Sequence, residues 1–204
     1  MKPFPSTSHM RWRRIDVPGR EEARIEQTSD GWRLTGQLEV EEGSVSAQLE
    51  YLIECERDWR TRQTVITGSA SGVPVRFEFG ADGAGHWTLN GAPLPLVEGA
   101  LDIDLGFTPA TNLLPIRRLD LAVGERANVR TAWLRFPEFR VEALEQSYQR
   151  EAARIFRYDA LVDGERFRAR LDTDEFGRVL HYEGLWEAES ASPGPDRTEP
   201  EPGT

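Results

Sequence analysis

The chain has 204 residues, of which 38% are hydrophobic and 9% aromatic, with six tryptophans. That is apolar surface enough for one core, the usual number for chains of roughly 100 to 200 residues. A formal charge of −10, from 25 Lys+Arg against 35 Asp+Glu, opposes a phosphate backbone and argues against nucleic acid as a partner, while a lone cysteine, Cys55, excludes an intramolecular disulfide and a multi-cysteine metal site.

Residues 1–10 hold two prolines, hydroxyl side chains and no apolar period, and are expected to be disordered. No stretch from Met1 through Asp16 has the 7 to 15 apolar residues, roughly, of a secretory signal, and no run is long enough to span a bilayer, so a cytoplasmic location is expected. From there on, alternation with period two dominates. Trp32, Leu34, Gly36, Leu38 and Val40 interleave with polar residues as a strand with one buried face, and Ala47, Leu49, Tyr51, Ile53 and Cys55 repeat the pattern after a Glu42-Gly43 turn. Strands follow at Trp59 to Thr67, Val75-Phe77-Phe79, Trp87-Leu89, Leu101 to Phe107 and Leu119-Leu121-Val123, with Asp82-Gly83 and Asn90-Gly91 as turns. Val129 to Phe136, Phe139 to Tyr148, Ile155 to Val162, Phe167 to Leu171 and Val179 to Tyr182 complete the set, with Asp163-Gly164 as a hairpin signal. Residues 143–154 also carry an i, i+4 spacing through Leu144, Tyr148 and Ala152, which leaves helix and strand both open. Residues 188–204, rich in Pro, Gly, Ser and Glu, read as a disordered acidic tail. The result is an all-β domain over residues 11–187. About twelve or more antiparallel strands cannot stay flat, so a barrel or half-barrel is expected.

The most distinctive stretch runs from Asp102 to Leu119, read as two strands around a proline-bounded polar loop. On the incoming strand Leu101, Ile103, Leu105 and Phe107 share one face and Asp102 and Asp104 the other, about 7 Å apart. The two carboxylates suit a sugar-hydroxyl clamp or a cation site, or simply a solvated face. Thr108, Thr111 and Asn112 offer hydroxyl and amide groups to a ligand or to a capped turn between Pro109 and Pro115. Arg117 has the parity of Leu119 and Leu121, so its guanidinium must find an anion: Asp102, Asp104, or a ligand phosphate or carboxylate. Arg118 should point the other way. Among the aromatics most belong to a core, and a subset, Trp133 and Tyr148 included, suits a cavity wall. The three histidines lack metal-ligand spacing, and no nucleophile elbow, Walker loop, zinc-protease or dinucleotide motif occurs. No metal and no cofactor is expected.

The stretch from Asp102 to Leu119 resembles the hallmark of the Putative glycolipid-binding family, a bacterial domain-of-unknown-function group. The likeness extends through Trp12 to Asp16, Pro18-Gly19, Asp30-Gly31-Trp32, Trp59 to Arg62, Ala132-Trp133-Leu134, Phe136-Pro137, Gln146-Ser147-Tyr148 and Gly177 through Trp186, with Ala100 and Glu183 departing from the family pattern. It implies a pseudo-barrel of antiparallel strands similar to bacterial lipoprotein-carrier folds, with a cavity for a glycolipid or other amphiphile, and it assigns no catalytic residue. The reading is therefore a non-catalytic binder of an amphiphilic small molecule, with Asp102, Asp104, Thr108, Thr111, Asn112 and Arg117 as polar anchors and Trp133 and Tyr148 on the wall. The alternatives are a hydrolase or isomerase using Asp102, Asp104 and Arg117 on a lipid-like or sugar substrate, and a structural protein without a ligand. An exposed sheet edge leaves a homodimer open.

Overall fold

A computed structural model describes residues 3–189. The strands are β1 (Thr7–Arg14), β2 (Gly19–Gln27), β3 (Gly31–Glu42), β4 (Val45–Glu56), β5 (Thr61–Ala70), β6 (Val73–Ala81), β7 (Trp87–Leu89), β8 (Ala92–Pro93), β9 (Asp102–Leu105), β10 (Arg126–Arg135), β11 (Arg140–Ala152), β12 (Ile155–Val162), β13 (Glu165–Thr173), β14 (Val179–Tyr182) and β15 (Trp186–Ala188). One short helix, α1 (Leu113–Leu119), follows a 3₁₀ turn at Ala110–Asn112, and a second 3₁₀ turn occupies Pro95–Val97.

All the strands join one 15-stranded sheet in the order β8-β7-β6-β5-β4-β3-β2-β1-β15-β14-β13-β12-β11-β10-β9. The chain thus builds two meanders, and its first and last strands, β1 and β15, pair antiparallel to weld them. The hairpins form where small turn residues permit left-handed backbone: Asn90-Gly91 and Asp163-Gly164 have positive φ at both positions, the geometry of a type I′ turn. Only β9 runs parallel to its neighbour, β10, because the chain crosses over between them through α1.

The sheet is not closed into a barrel; β8 and β9 are its edges. Its two ends nevertheless come together. At the head of β5 the Thr61 amide donates to the Leu101 carbonyl at 3.0 Å, and the Thr61 hydroxyl accepts the Ile103 amide at 3.0 Å. Farther along, the Phe77 ring of β6 lies against Phe139 beyond the end of β10 at 6.0 Å.

Three expectations change. Residues 7–10, placed in a disordered N-terminus, belong to β1, and Phe4 packs edge-on to Trp32 at 5.3 Å. These residues lacked an apolar run because β1 needs only Ser8 and Met10 facing inward there, with partners supplied by β2. The strand expected at Leu119-Leu121-Val123 is the end of α1 and a turn, since Asp120 takes a left-handed conformation and stops the helix. The segment with two readings, residues 143–154, is mostly β11. Of the tail assigned to 188–204, Ala188 ends β15, and residues 190–204 lie outside the described residues, as do 1–2.

Thr61 is fully buried, so its hydroxyl is the one group placed to take the Ile103 amide. Thr61→Val leaves that amide buried without its acceptor, at a cost of about 1–3 kcal/mol. Urea unfolding should show that loss for the valine variant and a smaller one for Thr61→Ser.

Candidate functional site

The segment between β9 and the middle of α1 is buried continuously from Phe107 to Ile116, although it belongs to no strand. Buried backbone outside a sheet must find its partners locally or from side chains. Here the Ala110 amide donates to the Thr108 hydroxyl at 2.9 Å, the Leu105 amide to the Thr111 hydroxyl at 3.4 Å, and the Gly106 amide to the Leu134 carbonyl at 3.0 Å. Pro109 and Pro115 carry no amide hydrogen and so need no acceptor. The polar residues expected to greet a ligand therefore satisfy this internal segment, and they do so against two separate parts of the sheet.

On the β9–β11 side, Asp102 and Asp104 face the same way as Thr131 and Trp133 of β10, and the row continues to Leu144, Gln146 and Tyr148 of β11. Asp104 accepts from the Thr111 hydroxyl at 3.4 Å and from the Gln146 amide. The Tyr148 hydroxyl donates to Asn112 Oδ1 at 2.9 Å. Burial lifts the Asp104 pKa from 3.8 to about 6 against its two donors, and drives the Tyr148 phenol well above its usual range. Asp102 is 0% exposed, which overturns the solvated-face reading, and it forms a two-pronged ion pair with Arg118, Nη2 to Oδ2 at 2.6 Å and Nε to Oδ1 at 3.0 Å. Burial outweighs even this cation and holds the Asp102 pKa above its ordinary value.

On the other side Thr108 donates to Glu21 Oε1 at 2.7 Å, and Tyr51 donates to the same oxygen at 2.6 Å. Glu21 is 1% exposed, and its Oε2 has no hydrogen-bond partner among the described residues. Burial moves its pKa from 4.5 to about 7, outweighing both donors. Tyr51 of β4 reaches β2 because the strand between them carries Gly36 at the crossing point: a Cβ there would sit 2.3 Å from the Tyr51 ring carbons.

Sequence reasoning missed Glu21 and the roles of Tyr51 and Gln146. The available signal was parity, since Glu21 shares the period of the inward-facing Ala23 and Ile25. It also misassigned the arginines. In a helix successive side chains turn by about 100° rather than 180°, so Arg118 and not Arg117 meets Asp102. Arg117 is half-buried elsewhere, its guanidinium 5.4 Å above Trp59 and 5.8 Å above Phe4, with Nη1 donating to the Phe176 carbonyl at 3.3 Å. Burial lowers its pKa. Trp133 is half-buried under Arg135, whose guanidinium lies 5.4 Å from the ring.

Open space lies on the opposite face of the sheet. A cleft of about 1000 Å³ crosses the outer side of β1–β5, walled in part by Leu52, Val65 and Arg24, together with Leu180 of β14 and Arg178 just before it. A second, of about 930 Å³, adjoins it and shares Arg11, Glu22, Gln37, Glu50 and Thr67.

The chain is thus an open β-sheet braced by an internal polar segment and carrying an outer cleft. The model of the family described as "Putative glycolipid-binding" matches residues 9–188, and the chain belongs to that family. It is also similar to the crystal structure of a DUF1089 family protein from Pseudomonas aeruginosa, with 32% identity and a TM-score of 0.74 over 86% of this chain and 94% of that one. No curated protein matches it.

Two outcomes follow from the Glu21 latch. A carboxyl whose folded pKa is raised stays protonated in the native state while the unfolded chain ionises, so stability present below about pH 4.5 drains away as pH rises to about 7. At about 1.4 kcal/mol per unit the loss is on the order of 3 kcal/mol. Glu21→Gln keeps the group neutral; urea melts at pH 5 and pH 8 should show a flatter pH dependence and greater stability at pH 8 than the parent chain. Gly36→Ala should cost about 1–3 kcal/mol by displacing the Tyr51 ring, and Tyr51→Phe should then cost less in that background than in the parent, a coupling readable in a double-mutant cycle.

Proposed function

We propose that the protein binds an amphiphilic small molecule, a glycolipid or similar lipid-like compound, without catalysing a reaction on it. The observation that carries this reading is the outer cleft of about 1000 Å³, at the upper end of ordinary ligand pockets, where Leu52, Val65 and Leu180 stand among arginines and hydroxyl residues. Apolar and hydrogen-bonding walls in one space suit a molecule with an apolar and a polar part. Family membership supports the same reading through its description, and in this view the curved sheet acts as an opened half-barrel of the lipid-carrier kind.

The residues singled out from the sequence then act at one remove. Asp104, Thr108, Thr111, Asn112 and Tyr148 lock the internal segment, Asp102 anchors α1 through Arg118, and Arg117 and Trp133 secure its surroundings, so that the sheet keeps the curvature on which the cleft depends.

Native mass spectrometry of freshly purified protein, followed by denaturing extraction, should reveal a discrete amphiphile mass. Leu52 is half-buried on the outer face, so Leu52→Glu should abolish that mass while leaving the circular dichroism spectrum and melting midpoint near the parent's. A clean apo mass, with no uptake of added long-chain amphiphiles, would overturn the reading.

A further inference from the structure

Strand register places the outer side chains of β1–β5 in three parallel rows. His9, Arg24, Thr35, Leu52 and Val65 form the first, Arg11, Glu22, Gln37, Glu50 and Thr67 the second, and Arg13, Arg20, Glu39, Gln48 and Ser69 the third. Neighbouring rows lie two residues apart along every strand, about 7 Å. The first row borders the first cleft, the third from Arg20 to Ser69 borders the second, and the middle row lines both. The two clefts are therefore one trough whose chemistry changes along the strand axis: Leu52 and Val65, beside Thr35, Arg24 and His9, stand at one end, and amides, carboxylates and hydroxyls at the other.

The polar end is unsuited to an anion. Its outward charged residues are Glu22, Glu39, Glu50 and Glu189 against Arg11 and Arg20. Both arginines are already engaged, Arg11 with Glu22 at 2.8 Å and Arg20 with Glu39 at 2.9 Å. A phosphate entering here would meet surplus negative charge and would have to break an ion pair to gain a cation. A neutral polyhydroxyl group meets what it needs: carboxylate oxygens accept from hydroxyls, and the Gln37 and Gln48 amides both donate and accept. Gln37 already donates to Glu50 at 3.1 Å, which fixes the direction of that carboxylate in the middle row.

Resting on the amphiphile-binding reading above, we infer that the trough takes its ligand in one orientation, with an uncharged glycosyl head over Gln37, Glu39, Gln48 and Glu50 and the alkyl chain over Leu52, Val65 and Leu180.

Isothermal titration calorimetry on the full chain tests this with three amphiphiles of one chain length, each below its critical micelle concentration: dodecyl maltoside, dodecylphosphocholine and dodecyl phosphate. The glycoside should bind at least tenfold more tightly than either phosphate-bearing compound. Gln48→Ala and Glu39→Ala, both exposed on the outer face, should weaken the glycoside at least fivefold; Gln48→Ala should leave dodecylphosphocholine unchanged, whereas Glu39→Ala, which frees Arg20, should not weaken it. If the phosphate-bearing compounds bind as tightly as the glycoside, or if the two variants bind it like the parent, the headgroup inference falls and the amphiphile reading stands. If none of the three binds, both fall.

Discussion

The structure depends on one constraint: a ten-residue stretch, Phe107 to Ile116, is buried without joining the sheet that surrounds it. Each buried donor or acceptor left without a partner costs about 1–3 kcal/mol, so such a stretch is tolerable only where the walls present polar groups in register. They do so on opposite sides, Glu21 on β2 taking Thr108 while Asp104 and Tyr148 take Thr111 and Asn112. The segment thereby ties the N-terminal meander to the C-terminal one across the interior, where β1 and β15 join them only at the middle of the sheet. Its polar residues are short-range braces, and their chemistry is used up in holding the sheet's two halves at a fixed separation.

Three interior carboxyls solve the problem of burial in two ways. Asp102 keeps a full cation, Arg118, in contact. Glu21 and Asp104 have neutral donors instead, and hydroxyls and amides offset less of the cost of removing a charge from water. Their pKa values accordingly rise to about 7 and about 6. Asp102, paired with a fixed charge, anchors α1, whereas the Glu21 and Asp104 braces change their protonation in the neutral range.

Much of the strand pattern was legible because period two survives in most strands, and the Asn-Gly and Asp-Gly turns could be read directly from backbone preference. What failed has identifiable causes. A seven-residue helix preceded by Pro109 and carrying Pro115 in its first turn reads like a strand-loop-strand, since two turns are too few to show a 3.6 period; the error exchanged Arg117 for Arg118 as the partner of Asp102. β2 escaped notice because Glu21 occupies an inward position that pattern reasoning reserves for apolar side chains. The loop from Asp102 to Leu119 stood out from the sequence, but whether its polar groups face a ligand or the protein's own backbone depends on contacts with β2, β4 and β11, none of them local in sequence.

The interior and the outer trough are two faces of the same strands, and this couples them. Glu21 is flanked by Arg20 and Glu22, Gly36 by Thr35 and Gln37, and Tyr51 by Glu50 and Leu52, so each inward contact of the latch fixes two outward side chains. A slip of one residue in any of these strands would exchange the faces wholesale. The fit of the Tyr51 ring over Gly36, which admits no other residue without displacement, pins the register between β3 and β4 at the point where the apolar and polar ends of the trough meet. The internal brace therefore also holds the outer rows of β2, β3 and β4 in alignment, while Leu180 of β14 and Arg178 before it complete the cleft from the other meander.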